Sequence, residues 1–544
     1  MLSTMPDFPL TIAGVLRHGS AVYGRSEVVT VTGLSDSGIE TRRTSYAEIT
    51  RNAARLANAL RALGVTGDER VATFMWNNAE HVEAYFAVPS MGAVLHTLNL
   101  RLFPEQLVYI ANHAEDKVII ADTTVLPLLA PVINEMKTVQ HVIIVGGGDG
   151  SALEGGGRQI HAYADLLAAQ PDTFDWPEVD ELSAAAMCYT SGTTGNPKGV
   201  VYSHRSSYLH SMAACQKGGI GLNDADRVLP VVPMFHANAW GLVYACFMSG
   251  ASLIMPDRFL QAEPLAKLIK AEQATCAGAV PTIWNDLLNY SRANTVDLSS
   301  LQKVVCGGSA VPRALMEAFQ DEFGITILQA WGMTETSPLG SVAAVPSDDP
   351  GADKWTYRCT AGRLVAGVEA RITADDGSVL PNDGESVGEI EVRGPWVTTS
   401  YYLDEDPSKF HDGWLRTGDV GSLSDRGYIV ISDRAKDVIK TGGEWISSID
   451  LENEIMAHPA VLEAAVVAIP DDRWAERPLA CVVLREGASA SVGELRDFLA
   501  SRVVKWWVPE SWAYIPQVPR TSVGKFDKKV LRAQHAAGEL EVFQ

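Results

Sequence analysis

The chain has 544 residues, of which 47% are hydrophobic and 20% are charged. This length exceeds one ordinary domain, and the composition is typical of a soluble globular protein with a large core. Its 44 lysines and arginines against 66 aspartates and glutamates give a formal charge of −22. Such a surface repels nucleic acid and anionic membranes, so an anionic ligand needs a local cluster of hydrogen-bond donors.

The N-terminal segment and the cysteines both favour a cytoplasmic protein. The first residues lack a basic region followed by an apolar run, and nowhere does the chain approach the ~20 apolar residues of a membrane span. The seven cysteines include no Cys-x-x-Cys pair, and most stand among apolar neighbours. We therefore expect reduced, buried thiols and no transmembrane segment.

The N-terminal part of the chain predicts alternating helices and strands. Residues 44–63 carry the clearest helix signal, because Ser45 and Glu48 form a capping box and apolar residues recur at helical spacing before Gly64. A second helix is predicted at 79–88. Strands are predicted at 70–76, 117–121 and 141–145. This alternation predicts α/β layering around a largely parallel sheet, followed by an exposed glycine-rich loop at 146–157.

The stretch 189–200 is the most distinctive in the chain, and it reads Tyr-Thr-Ser-Gly-Thr-Thr-Gly-Asn-Pro-Lys-Gly-Val. Apolar runs on both sides predict a loop between two buried strands. Glycines let several backbone N–H groups point into one hollow, which suits phosphate, and the hydroxyls and Lys198 add further donors. The spacing does not fit a P-loop, because Pro197 and Gly199 stand where that pattern needs Gly and Ser or Thr.

Beyond this loop the pattern continues and then changes. Buried strands are predicted at 227–232, 252–255, 277–280, 303–306 and 326–329. From about residue 360, short strands and turns predict a β-rich subdomain that extends to 432. The remaining residues have their own apolar segments and predict a small α+β domain. The predicted fold class is therefore α/β, with a large N-terminal domain of layered sheets and helices at 1–432 and a C-terminal domain at 433–544.

The loop at 189–200 resembles the phosphate loop of the adenylate-forming (AMP-binding) superfamily. Further motifs of that superfamily stand in family order: Pro-Met-Phe-His-Ala-Asn-Ala-Trp-Gly (233–241), Gly-Gly-Ser-Ala-Val-Pro (307–312), Gln-Ala-Trp-Gly-Met-Thr-Glu-Thr (329–336), Trp-Leu-Arg-Thr-Gly-Asp (414–419), Asp-Arg-Ala-Lys-Asp-Val-Ile-Lys (433–440), Gly-Gly-Glu-Trp-Ile-Ser (442–447) and Pro-Arg-Thr-Ser-Val-Gly-Lys-Phe (519–526). The resemblance covers essentially the whole chain and favours the bacterial medium- and long-chain fatty acyl-CoA synthetases. Departures at Leu100 and Ala237 lie outside the catalytic positions but bear on the acyl pocket.

The resemblance implies a nucleotide site built from most of these motifs. A carboxylate accepts two hydroxyl donors well, which suits Asp419 to a ribose. The oxygen ligands that Mg²⁺ prefers are available at Glu335 and, by resemblance, at Thr190. The implied ATP- and AMP-binding residues are Thr190, Ser191, Gly192, Thr193, Thr194, Gly195, Lys198, Gly308, Ser309, Ala310, Gln329, Ala330, Trp331, Gly332, Met333, Thr334, Asp419, Arg434, Lys436, Lys440 and Trp445.

The resemblance also assigns residues to catalysis, to the acid and to CoA. Composition alone makes Lys525 a surface lysine, but by resemblance it bridges the acyl carboxylate and the α-phosphate. A histidine after a buried strand is most often a satisfied core residue, and a lone tryptophan often packs in a core. The implied residues are Lys525, His236, Thr334 and Glu335 for catalysis; Phe235, His236, Trp240 (a gate) and Gly332 for the acyl pocket; Gly442, Gly443 and Glu444 for CoA; and Asp433 for the hinge.

The implied reaction is a two-step ligation that uses ATP, Mg²⁺ and CoA. The acid first attacks the α-phosphate to give acyl-AMP and pyrophosphate, and the CoA thiol then displaces AMP. We expect a medium- or long-chain fatty acid as substrate, with methylmercaptopropionate or another short acid as the alternative. An acyl-AMP ligase that loads a carrier protein and a non-catalytic nucleotide-binding module are the competing functions. By analogy with the fatty acyl branch, a homodimer is expected.

Overall fold

The computed structural model describes every residue except 2, 36–37, 191–195, 350, 352, 442–443, 472 and 522–525, and it describes only the backbone of 444 and 445. The elements up to residue 203 are α1 (Ile12–Tyr23), β1 (Glu27–Ser35), β2 (Gly38–Ser45), α2 (Tyr46–Ala62), β3 (Arg70–Phe74), α3 (Ala79–Ser90), β4 (Val94–Thr97), α4 (Pro104–Ala114), β5 (Asp116–Asp122), α5 (Leu126–Leu129), β6 (His141–Val145), β7 (Gln159–Ala162), α6 (Tyr163–Ala168), β8 (Ala184–Tyr189) and β9 (Gly199–Ser203).

The elements from residue 204 to 434 are α7 (His204–Cys215), β10 (Arg227–Pro230), α8 (Leu242–Ser249), β11 (Ser252–Met255), α9 (Ala262–Glu272), β12 (Cys276–Ala279), α10 (Pro281–Ala293), β13 (Lys303–Cys306), α11 (Arg313–Phe323), β14 (Thr326–Gly332), β15 (Leu339–Val342), α12 (Lys354–Arg358), β16 (Gly362–Leu364), β17 (Glu369–Thr373), β18 (Val379–Leu380), β19 (Gly388–Arg393), β20 (Phe410–His411), β21 (Trp414–Leu423) and β22 (Tyr428–Arg434).

The remaining elements are β23 (Ile439–Thr441), β24 (Glu444–Ile446), α13 (Ser448–Met456), β25 (Val461–Asp471), β26 (Ala475–Leu484), α14 (Val492–Ala500), β27 (Ser511–Tyr514), α15 (Lys528–Ala536) and β28 (Val542–Phe543). Short 3-10 helices lie at Thr123–Val125, Ile133–Glu135, Ser151–Leu153, Thr334–Thr336 and Lys505–Trp507, and Ala237–Gly241 forms a left-handed turn.

Helix α2 shows how local sequence sets an element. The Ser45 hydroxyl accepts the backbone N–H of Glu48 at 3.2 Å, which confirms the Ser45 half of the predicted capping box. Ile49, Leu56 and Leu60 on the predicted stripe are fully buried. One face of the helix therefore packs in the core while the other faces water, as the apolar spacing predicts.

The N-terminal sheet carries the predicted phosphate loop at one edge. Within the described residues its strand order is β7-β6-β5-β3-β4-β8-β9. All neighbours pair in parallel except β8 and β9, which form an antiparallel hairpin. Residues 190–198 connect these two strands, so the loop lies where the parallel pattern ends. The glycine-rich stretch 146–157 between β6 and β7 is mostly exposed, although Leu153 within it is buried.

The largest sheet joins the parallel half of the molecule to the β-rich region. Its order in the described chain is β18-β17-β19-β21-β22-β16-β15-β14-β13-β12-β10-β11-β1-β2, with β20 paired to β21. Strand β14 is parallel to β13 but antiparallel to β15, where Ala330 pairs with Val342. The sheet therefore changes from parallel to antiparallel at the motif 329–336.

The C-terminal residues build a separate sheet with its own core. Strands β25 and β26 form a long antiparallel pair, and β23, β24, β27 and β28 complete this sheet. Leu451 and Ile455 of α13 pack against Val466 and Trp512. This arrangement agrees with a small α+β unit.

The state of the cysteines agrees with the sequence. All seven are free thiols, and Cys188, Cys246, Cys276, Cys306 and Cys481 are buried. Burial raises the pKa of Cys188 to about 11, which keeps this thiol protonated and unreactive. None of the helices in the described part of the chain has the length and apolar character that a membrane crossing requires.

Candidate active site

A cavity of about 1050 Å³ collects residues from motifs that are far apart in sequence. Helices α10 and α11 of the large region and α13 of the C-terminal region contribute to its wall. The predicted site residues that line it are Thr190, Lys198, Gly308, Ser309, Ala310, His236, Trp240, Ala330, Trp331, Gly332, Met333, Thr334, Glu335, Asp433, Arg434 and Lys436. Residues separated by more than 200 positions therefore share one wall.

Some predicted site residues lie away from this wall. The Gln329 carboxamide accepts the N–H of Val311 at 2.6 Å and donates to the carbonyl of Thr360 at 2.7 Å, so it joins loops behind the cavity. Phe235 is buried in the core beside the N-terminal sheet, and Lys440 is an exposed residue of β23. The nucleotide role of Gln329 and Lys440 and the acyl role of Phe235 stay predictions.

Several predicted residues fall outside the described part of the chain. The structure does not describe Ser191, Gly192, Thr193, Thr194, Gly195, Gly442, Gly443 or Lys525, nor the side chains of Glu444 and Trp445. Their flanking residues are described, and Thr521 and Phe526 on either side of the 522–525 segment both line the cavity. The described residues on both sides of 522–525 therefore lie on the cavity wall.

Asp419 has both carboxylate oxygens engaged. Its Oδ2 accepts the indole N–H of Trp331 at 2.9 Å, and its Oδ1 pairs with Nε of Arg434 at 2.8 Å. Asp419 and Arg434 are direct register partners in β21 and β22. Because a carboxylate has about four lone-pair sites, Asp419 keeps acceptor capacity for further donors. The contacts join the residue predicted for ribose to the tryptophan predicted for the ring slot.

Lys198 lies in a network that sequence reasoning missed. Its Nζ lies 3.1 Å from Oδ2 of Asp404, 3.1 Å from Oδ2 of Asp406 and 4.8 Å from the centre of the Tyr401 ring. Although burial opposes it, hydrogen bonds to these carboxylates raise the pKa of Lys198. The Tyr401 hydroxyl donates to Oε1 of Glu335 at 2.8 Å. One tyrosine thus connects the lysine predicted for phosphate with the carboxylate predicted for Mg²⁺.

A left-handed turn positions Trp240. Four consecutive residues, 237–240, have φ of 42°, 50°, 48° and 58°. Such angles cost roughly 1–2 kcal/mol for each residue other than glycine, so surrounding contacts must hold them. The buried Asn238 carboxamide oxygen accepts from Sγ of Cys188 at 3.0 Å and from the hydroxyls of Tyr85 and Thr97 at 3.4 Å. Asparagine tolerates this conformation better than most residues, which is the only sequence signal for the turn.

The Trp240 ring covers the ends of two strands. A methyl group added at Gly278 would lie 3.6 Å from Cζ3 of the indole, and one at Gly307 would lie 3.7 Å from its Cη2. These are ordinary van der Waals distances, so the ring lies directly over both glycines. Gly332 on the facing wall must be glycine, because a methyl group there would lie 1.6 Å from the carbonyl oxygen of Pro338.

A magnesium ion fits only part of this site. No group of three or more His, Cys, Asp and Glu side chains converges among the described residues. Glu335 and Thr190 offer one carboxylate and one hydroxyl oxygen on the cavity wall. Since Mg²⁺ usually binds one or two carboxylates together with phosphate oxygens and water, this donor set fits an ion that arrives with a nucleotide.

Comparison with known proteins identifies the family. Residues 17–402 match the AMP-binding enzyme family, and residues 450–525 match its C-terminal domain. A 3-methylmercaptopropionyl-CoA ligase of Ruegeria pomeroyi is 43% identical over 98% of this chain and 99% of its own length. A long-chain-fatty-acid–CoA ligase of Thermus thermophilus is 44% identical over 98% of this chain and 97% of its own length.

A solved structure confirms the predicted α/β fold class. The anthranilate CoA ligase AuaEII, solved with anthranoyl-AMP, superposes with a TM-score of 0.87 at 24% identity and covers 98% of this chain and 99% of its own. The predicted class of enzyme, an AMP-forming acid–thiol ligase, is confirmed by the curated relatives, and enzymes of this class use ATP and CoA. The chain therefore belongs to the AMP-binding enzyme family, within the adenylate-forming superfamily.

Proposed function

We propose that this protein is an ATP-dependent acyl-CoA synthetase that activates a medium- or long-chain fatty acid. The acid attacks the α-phosphate of ATP, pyrophosphate leaves, and the CoA thiol then displaces AMP from the acyl-AMP. The observation that carries this proposal is that one cavity joins the predicted motifs. It joins the phosphate-binding candidates Thr190 and Lys198 to an apolar wall that includes Trp240, Val305 and Leu339.

On the nucleotide side, each assignment follows the chemistry of the residue. Lys198 would exchange its two carboxylate partners for phosphate oxygens. Asp419 would accept the ribose hydroxyls, with Arg434 beside it as a second contact. The 308–310 segment and the Trp331 ring would form the walls for the adenine. Glu335 and Thr190 would hold Mg²⁺, which supplies charge stabilisation on the phosphates when bound.

The position of the small domain supports a role for Lys525 in the first step. Thr521 and Phe526, which flank the segment of Lys525, line the cavity, whereas Lys440 of the β23–β24 hairpin does not. We infer that only one of the two segments faces the acid at a time. We infer that rotation about Asp433, between domains at 1–432 and 433–544, exchanges the Lys525 segment for the 442–444 segment when CoA binds.

The length of the acid is the finer question. The apolar wall near Trp240 favours an alkyl chain over a charged acid. The Ruegeria pomeroyi relative favours a second candidate, a short thioether acid. If Trp240 closes a longer tunnel, its substitution by alanine should shift the chain-length preference. Unchanged kinetics over all lengths would contradict a gate at this position.

The test is a pyrophosphate-release assay across straight-chain acids from propionate to palmitate, with 3-methylmercaptopropionate alongside. We expect the highest kcat/KM for a medium or long chain, and AMP release that depends on CoA. A maximum at 3-methylmercaptopropionate would replace the fatty acid by the thioether acid. AMP release that requires a carrier protein in place of CoA would contradict the synthetase, and absence of pyrophosphate release with every acid would contradict activation itself.

Assembly and location extend the same proposal. We propose a homodimer in the cytoplasm, by analogy with the fatty acyl branch and from the reduced, mostly buried cysteines. Light scattering of the purified protein tests the dimer, and fractionation of the source cells tests the location. A single monomeric species at micromolar concentration would contradict the first of these.

A further inference from the structure

Lys528 is the first residue of α15 and follows Lys525 by three positions. Its Nζ lies 2.7 Å from Oε1 of Glu452 and donates to the hydroxyl of Ser448, both on α13. The side chains of Lys528 and Glu452 are only 10% and 8% exposed. Glu452 Oε1 also accepts the N–H of Val466 at 2.7 Å. The start of α15 is therefore fixed to α13 by a buried ion pair.

The same network includes the predicted hinge residue. Oδ2 of Asp433 accepts the backbone N–H of Ser448 at 2.8 Å and its hydroxyl at 2.6 Å. The Ser448 hydroxyl thus donates to Asp433 while it accepts from Lys528. Asp433 is 1% exposed. Hydrogen bonds therefore run without interruption from the Asp433 carboxylate to the Lys528 ammonium.

The charges in this network favour one arrangement. Burial disfavours the charged form of Lys528, but Glu452 and Asp433 outweigh that effect and raise the pKa of Lys528. A second contact lies further along the same helix, where Arg532 donates to Asp437 at 2.8 Å. Removal of one member of a buried ion pair leaves the other uncompensated, so the pair specifies a geometry even where its net contribution to stability is small.

Rotation about the backbone of Asp433 would move its carboxylate relative to α13. The two hydrogen bonds to Ser448 then have to break, because both are made by the hinge residue itself. The Lys528 contacts to Glu452 and Ser448 lie within the C-terminal region, so the bonds from Ser448 to Asp433 are the part of the network that depends on the hinge orientation. In the orientation seen here, Thr521, Phe526 and Lys528 all line the cavity.

We propose that Lys528 is a positioning residue for the first half-reaction: with Glu452 and Ser448 it holds the Asp433 hinge in the orientation that presents Lys525 to the acid and ATP. This inference rests on the proposed function, because it needs both the domain rotation and the role of Lys525. It assigns Lys528 a role that acts through the hinge.

The test measures the two half-reactions separately in the Lys528→Met variant. Pyrophosphate release reports activation of the acid, and CoA-dependent consumption of supplied acyl-AMP reports thioester formation. We expect activation to fall about 10- to 100-fold, since a displacement of the order of 1 Å can cost that much. Thioester formation should stay within a factor of about two. Lys529→Met is the matched control, because Lys529 is exposed and forms no ion pair with any described residue, and it should change neither rate.

The other possible outcomes would contradict either the inference about Lys528 or the proposed function. Equal losses in both half-reactions, or a Lys528→Met enzyme that behaves like Lys529→Met, would overturn the inference. Where Lys528→Met folds poorly, Lys528→Met/Glu452→Gln removes the uncompensated buried charge and should show the same unequal loss; equal rates in that variant would also overturn it. Lys525→Ala tests the proposed function separately. If it fails to block activation while sparing thioester formation, the proposed function fails whatever Lys528 does.

Discussion

Two lysines on the wall of one cavity have opposite surroundings. Lys198 is 36% exposed, and its partners Asp404 and Asp406 are 47% and 23% exposed on a surface loop. Lys528 and its partner Glu452 are buried, and a serine and a backbone N–H complete their contacts. A cation that must meet an incoming phosphate needs partners that it can leave, whereas a cation that fixes a geometry needs partners that it keeps.

The largest effect is expected when the buried ion pair between Lys528 and Glu452 is broken. Glu452→Ala leaves Lys528 buried without its nearest carboxylate, which should lower the free energy of unfolding by about 3–5 kcal/mol. Denaturant unfolding of the large and small domains measures it. Glu454→Ala, two residues away on α13, removes a partially exposed pair with Arg502 and should cost at most ~1 kcal/mol. Equal losses of stability in the two variants would mean that the buried pair contributes no more to stability than the exposed pair.

Lys198→Ala tests the other side of the comparison. We expect activation of the acid to fall about 100- to 1,000-fold, because charge develops on the phosphate oxygens that this ammonium would meet. Stability should change by at most ~1 kcal/mol, since the pair is half-exposed. Pyrophosphate release and thermal unfolding measure the two quantities. A large loss of stability with little loss of activation would make Lys198 a structural residue.

Glu83 shows what happens to a buried carboxylate whose direct partners are neutral. It accepts from Tyr163 and from Asn52 at 2.7 Å, and burial raises its pKa to about 8. The unfolded group loses its proton above pH ~4.5 while the folded group keeps it, so stability should fall as pH rises towards 8, by at most ~1.4 kcal/mol per unit. Thermal unfolding from pH 5 to 8 should show a smaller decline in stability for Glu83→Gln than for the unaltered protein. Glu154→Gln on the exposed loop should leave the decline unchanged, and parallel curves for all three proteins would contradict the assignment.

Asp406→Asn gives the smallest expected effect. It weakens the competition for Lys198 in the nucleotide-free enzyme, so ATP should bind about two- to fivefold more tightly, as expected for an exposed pair worth ~1 kcal/mol or less. Titration calorimetry with ATP measures the Kd, and Asp375→Asn is a control on an exposed turn. Weaker binding of ATP by Asp406→Asn would mean that this carboxylate supports the nucleotide.

Local sequence predicted most of the elements around the site. The predicted strands at 141–145, 252–255 and 303–306 have the observed bounds, because short apolar runs flanked by turns leave little freedom. The predicted strand at 326–329 continues to Gly332, since its last residues pair with β15 and not with the parallel sheet. That extension depends on a neighbour that the local pattern does not contain.

The sequence did not predict which side chains from distant parts of the chain form hydrogen bonds with each other. Asn238 supports the turn before Trp240 through Cys188, Tyr85 and Thr97, which lie between 50 and 153 positions away. Nothing in the residues near Gln329 indicates that its carboxamide is used by Val311 and Thr360. Hydrogen bonds of this kind are chosen by the packing of whole elements, so composition and spacing cannot rank them.

The sequence alone determined the family, the order of the motifs and the chemistry that each motif can perform, because glycines, hydroxyls and charged groups at fixed spacing restrict a loop to few uses. The tertiary structure decided which of those groups face one cavity. It also decided which charged side chains have exposed partners and which have buried ones. Lys198 and Lys528 are both lysines near motifs of the superfamily, yet they differ in burial, and we propose different roles for them. The free energy of a charge depends on what surrounds it, and those surroundings come from distant parts of the chain.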